Sequence, residues 1–154
     1  MNMLNLKSKA VSLFICILFP FSITITGPDY ASEIDVEIWE LKLSGDTEGV
    51  FEMQMKRVKN EKGLSEISGR FSGPMNDRIF GRGEMICRLK GNIENDAFSA
   101  KINGFAEVTM GMVSLSGTLR GTVLESSGVG SWKIIHDWGS PEGKWVIKKI
   151  FPPQ

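Results

Sequence analysis

From residue 97 to 134 apolar and polar residues alternate with a period of two. Phe98, Ala100, Ile102, Gly104, Ala106 and Val108 share one parity. Val113, Leu115, Gly117, Leu119, Gly121 and Val123 form a second run, and Gly128, Gly130, Trp132 and Ile134 a third. Between them stand Lys101, Asn103, Glu107, Ser116, Thr118, Arg120 and Lys133. This pattern turns one side of an extended strand to a core and the other to water, and it predicts half-buried antiparallel strands.

The same reading extends upstream. Phe51, Met53 and Met55 oppose Glu52, Gln54 and Lys56. Ile67, Gly69, Phe71 and Gly73 share a face, as do Gly81, Gly83, Met85, Cys87 and Leu89. At the start, Ile34, Val36 and Ile38 give way at Trp39 to Leu41 and Leu43, a one-residue shift that predicts a β-bulge. Turn composition marks 44–49, 59–63, 74–77, 91–96, 110–112, 125–127 and 136–143, with a last strand over 144–150. Beyond residue 31 no window repeats apolar residues with helical spacing. About eight strands joined by short turns in ~120 residues make an all-β antiparallel meander. A sheet of that size closes or splits into layers. With no long crossover, an up-and-down β-barrel over residues 32–154, closed or nearly so, is the expected architecture.

The first 31 residues read differently. Lys7 and Lys9 precede an almost wholly apolar stretch over 11–25, the pattern of a secretory signal peptide. The run is shorter than the ~20 residues of a membrane span, and Pro20 interrupts it. The expected location is therefore exported, periplasmic or extracellular, with no stable membrane span after cleavage. Removing residues 1–31 leaves 16 basic and 17 acidic residues of the original 18 and 18. It also leaves Cys87 as the single cysteine, so no internal disulfide forms, and its apolar parity predicts a buried, inert thiol.

Charge and chemistry remove several functions from consideration. Basic residues are scattered along the sequence rather than striped, so nucleic-acid binding has no support. One histidine, His136, leaves no zinc site of the usual kind, and no cofactor motif occurs. Glu52, Glu84 and Glu107 have solvent parity, which argues against paired carboxylates inside a barrel. His136 and Trp138 lie in the longest late turn and are the expected surface contacts.

Glycines pose the remaining question. Gly69, Gly73, Gly81, Gly83, Gly104, Gly117, Gly121, Gly128 and Gly130 all have inward parity, where each weakens its strand. They permit tight coiling, make room for large neighbours such as Phe71, Trp132 and Trp39 to lie across the backbone, or leave a cavity. A cavity would be lined by Phe71, Met85, Phe98, Ile102, Leu115, Leu119 and Trp132. The leading expectation is an exported, soluble, non-enzymatic barrel that binds a small apolar molecule or a protein surface. An eight-stranded outer-membrane barrel and a secreted enzyme with an unidentified site are the alternatives.

Overall fold

A computed structural model describes residues 36–150. These form eight strands: β1 (Val36–Gly45), β2 (Thr47–Lys59), β3 (Ser65–Asp77), β4 (Gly81–Glu94), β5 (Ala97–Val108), β6 (Gly111–Val123), β7 (Ser127–Ile135) and β8 (Glu142–Lys149). Each pairs antiparallel with the next, and β8 pairs with β1, so the meander closes into a barrel. The signal peptide expected over 1–31 lies outside the described residues.

The strands are longer and the turns tighter than composition suggests. β3 continues through Pro74 to Asp77, and the chain reverses only at 78–80. β4 runs on to Glu94, and Asn95 and Asp96 reverse the chain with φ of 47° and 69°. Those positive angles belong to the two-residue hairpin turn that matches strand twist, and Asn and Asp adopt them at low cost. In the β2–β3 turn, Asn60 Oδ1 accepts from the backbone N–H of Lys62 and of Leu64, each at 3.0 Å.

The expected bulge in β1 is absent. β1 pairs with β2 without a break from Val36↔Lys56 to Leu43↔Gly49. Trp39, Leu41 and Leu43 point inward, and Val36 is 50% exposed. The apolar parity of Val36 and Ile38 belongs to the outer wall. An indole carries more apolar area than either side chain, so burying Trp39 sets the register.

Inward positions fill one core. It contains Trp39, Phe51, Phe71, Phe98, Trp132 and Trp145 with surrounding Met, Leu, Ile, Val and Ala residues. Phe98 packs edge-on to Trp145 at 5.2 Å, and Phe51 to Phe71 at 5.5 Å. Outside, mid-strand positions hold Glu40, Lys42, Glu52, Arg70, Arg88, Lys90, Lys101, Glu107 and Arg120, all exposed. A lipid-spanning barrel has the reverse arrangement, since a Lys or Arg facing the bilayer midplane costs about 2–4 kcal/mol. The distribution of side chains is that of a soluble barrel.

Two tryptophans show what the inward glycines do. Trp145 of β8 stands opposite Gly130 of β7, which in turn stands opposite Gly121 of β6. The indole lies across both glycines and donates to Ser131 O (2.9 Å) and Arg120 O (3.2 Å). Trp132 of β7 does the same in the other direction. It lies over Gly143 of β8 and donates to Ser44 O of β1 at 3.2 Å. Each ring thus crosses a neighbouring strand that has no Cβ there and bonds the strand beyond.

A methyl group on Gly130 would stand 2.5 Å from Trp145 Cε2 and collide with the Arg120 carbonyl oxygen. Gly130→Ala is expected to cost about 1–3 kcal/mol by overpacking. Urea denaturation followed by tryptophan fluorescence reads this; an unchanged midpoint would show that the ring has room to move.

Candidate functional site

The four hairpin connections β1–β2, β3–β4, β5–β6 and β7–β8 gather at one end of the barrel. There Asp77, buried, organises the β3–β4 turn. Its Oδ1 accepts the backbone N–H of Ile79 (2.7 Å) and Phe80 (3.1 Å), and its Oδ2 accepts the Thr47 hydroxyl at 2.6 Å. Phe80 is thereby set 4.9 Å from the His136 ring and 5.4 Å from Trp138. His136, expected at the surface, has inward parity with Trp132 and Ile134 and is only 9% exposed. Its Nδ1 accepts the Trp138 backbone N–H at 3.1 Å, an assignment that puts the proton of a neutral ring on Nε2. Nε2 has no partner among the described residues. Asp137 is exposed and makes no hydrogen bond to the imidazole. Trp138 itself is 57% exposed, at the rim.

The opposite mouth holds a charged cluster. Glu37, Arg57 and Lys149 take inward parity at the ends of β1, β2 and β8. Glu37 binds Lys149 at 2.8 Å and lies 3.6 Å from Arg57, and it accepts the Trp39 indole N–H at 3.1 Å. The side chains are partly solvated, so each pair contributes no more than about 1 kcal/mol. Sequence reading missed Glu37 because the apparent parity of Val36 and Ile38 placed it outside.

All seven residues named for a cavity point inward and are buried: Phe71, Met85, Phe98, Ile102, Leu115, Leu119 and Trp132. The glycines beside them are occupied by neighbours. Gly104 faces the Cys87 Cα and Sγ, and Gly121 and Gly130 lie under Trp145. Concave surface is found outside instead. A groove of about 590 Å³ runs over β6, β7 and β8, lined by Thr118, Arg120, Ser131, Lys133 and Lys144, with Glu142 and Asp46 at its end.

That groove is one part of a larger cationic face created by strand register. Arg70 stands directly opposite Arg88. Lys90 stands directly opposite Lys101, and Lys101 opposite Thr118, which faces Lys133. Ser68 lies between Lys56 and Lys90 in the same cross-strand row. Arg120 faces Ser131, and Ser131 faces Lys144. Every strand from β2 to β8 contributes at least one cation. Glu142 opposite Lys133, and Glu66 beside Ser68, are the acids at its border. Among the described residues the ion pairs are Arg57–Glu37, Arg78–Asp46 and Lys149–Glu37, and none involves this face. Directly opposed like charges destabilise a sheet by a few tenths to about 1 kcal/mol each. Residues that look scattered along the chain are therefore contiguous on the barrel.

Among the described residues, no group of three or more His, Cys, Asp or Glu side chains is placed to hold a metal ion. No protein-family model, curated protein or solved structure matches this chain.

Cys87 is fully buried, and burial pushes its thiol up from 9.0 to about 12. The folded protein holds the thiol neutral where the unfolded chain ionises. Its contribution to stability is thus complete below pH 9 and is lost as pH rises from about 9 towards about 12. At pH 8 only about one thiol in ten thousand is ionised. Iodoacetamide at pH 8 is expected to label Cys87 only in denaturant. Rapid labelling of the native protein would place the thiol at an accessible site.

Proposed function

We propose that the protein is an exported, soluble, non-enzymatic β-barrel that acts as a binding module, with its partner on the outer wall. The observation that carries this reading is the contrast between the two sides of the wall. Inside, eight of the nine glycines that could have opened a cavity are met by indoles, other side chains or neighbouring backbone, Gly81 at the start of β4 being the exception. Outside, seven strands supply exposed cations that make no ion pair among the described residues, beside a polar groove. Unpaired charge on a surface is available to a partner, whereas a filled core is available to none.

Export is supported by Lys7, Lys9 and the apolar run behind them. A non-catalytic role is supported by the surroundings of His136. Its contacts are two aromatic rings and a backbone N–H, with no nucleophile or carboxylate bonded to it. General acid–base work needs a side chain within hydrogen-bond reach of a reacting group, and this imidazole is buried at the rim.

The mature protein is expected in the soluble exported fraction without detergent. Native mass spectrometry is expected to give the mass of the bare polypeptide. A requirement for detergent, or an apolar molecule retained through purification, would overturn the reading.

A further inference from the structure

We infer that the cationic belt is a binding site for a linear anionic polysaccharide. The inference rests on the surface-binding reading above and names its partner class. Three features carry it: the course of the belt, what lies between its charges, and what is missing from it.

The belt winds around the barrel. It passes from Lys56 on β2 through the Arg70–Arg88 and Lys90–Lys101 pairs to Lys144 on β8. Seven of eight strands in a closed barrel span most of its circumference. A flat anionic surface touches one side of a cylinder and leaves the rest of such a belt unused. A flexible chain of regularly spaced anions can follow the whole course, ending in the groove between Arg120, Lys133 and Lys144.

Between the cations the outer wall bears small hydroxyl and amide side chains. Ser68 lies between Lys56 and Lys90, Asn103 faces Arg88, and Thr118 lies between Lys101 and Lys133. Alternating cations with neutral donors and acceptors fits a polymer that alternates carboxylate or sulfate groups with sugar hydroxyls. No exposed aromatic ring lies along this course among the described residues: Trp138 is exposed but sits in the β7–β8 loop, Phe105 on the outer wall of β5 is half-buried beside Ile86 and Ser114, and Trp132 at the floor of the groove is buried. Single-stranded nucleic acid is held by stacking its bases on aromatic side chains as well as by charge, so the belt suits a sugar polymer better.

The like-charge pairs give a favourable route to a test. Lys90→Glu would put a carboxylate opposite Lys101, and Arg88→Glu would put one opposite Arg70, so the double variant keeps its fold by replacing two repulsions with two attractions. Lys62→Glu, in the exposed β2–β3 turn, makes the same change of charge per site away from the belt. Heparin is the probe, titrated calorimetrically at low and at physiological salt. The wild type is expected to bind and to weaken steeply with salt. R88E/K90E is expected to lose about tenfold or more in affinity, as for at least 1.4 kcal/mol, and K62E is expected to stay within about twofold of wild type. Equal loss in K62E would reduce the effect to net charge and overturn the site. Tighter binding of single-stranded DNA, or of vesicles containing anionic phospholipid, would replace the polysaccharide with another class of partner. If heparin does not bind and native mass spectrometry shows the bare polypeptide, the belt inference alone fails. If that spectrum shows a retained apolar molecule, the surface-binding reading fails with it.

Discussion

The closure of this barrel depends on two indole rings lying flat over strands that have no side chain at the crossing point. A small closed barrel must coil its strands strongly and still fill its interior with large groups. Trp132 and Trp145 meet both demands. Their rings supply apolar volume, and the N–H of each bonds a carbonyl oxygen two strands away, that of Trp145 also bonding Ser131 O on the adjacent strand. The Trp132 bond reaches from β7 across β8 to β1, over the seam where the meander closes. A buried indole N–H left without an acceptor would cost about 1–3 kcal/mol. Gly121, Gly130 and Gly143 are therefore as much a part of these contacts as the rings. Each glycine lowers local strand propensity, and the ring it admits more than offsets that loss through burial.

The same constraint explains which parts of the fold were legible in the sequence. Residues 97–134 show their strands plainly because their inward positions are apolar or glycine and their outward positions polar. The number of strands, the short connections and the closed meander all follow from that alternation. The register of β1 was not legible. Val36 and Ile38 suggest one face and Leu41 and Leu43 the other, and only the interior's need for a large ring at Trp39 decides between them. The turn at Pro74 was misplaced for a related reason. Proline lacks a donor, and pairing lapses between Gly49↔Met75 and Glu52↔Ser72, yet the strand resumes beyond it. Asp77, whose carboxylate collects three donors, ends that strand instead.

The candidate site was less legible than the fold, and the reason is geometric. Inward parity can be read from one strand at a time, so the seven residues named as cavity lining could be placed on the inner face, where they are buried. His136 was read as a loop residue because proline and glycine follow it closely, but its parity with Trp132 and Ile134 carries it inward. The charged surface could not be read at all from single strands. Arg70 and Arg88 are eighteen positions apart, and Lys90 and Lys101 eleven apart, yet the register sets each pair face to face. Turn length fixes that register, and a shift of one residue in a hairpin would have dispersed the belt.

Net charge hides this arrangement. The chain has 18 basic and 18 acidic residues, and a random distribution over the outer wall would place opposite signs together. The register sets like against like at four cross-strand pairs and opposite signs at only two, Glu40–Lys148 and Lys133–Glu142, among the described residues. Glu40 faces Glu52 and Glu84 faces Glu107, just as the cations face one another. Cross-strand pairing of opposite charges was available with the same composition and would have been more stable. Exchanging Glu84 with Arg88, two outward positions of the same strand, would have paired both signs. A fold that forgoes this stabilisation retains the field of an unneutralised face. Stability in this protein thus resides on the inner side of the wall, where indoles and glycines interlock. Among the described residues, the outer side carries the charge outside ion pairs on which the proposed surface binding rests.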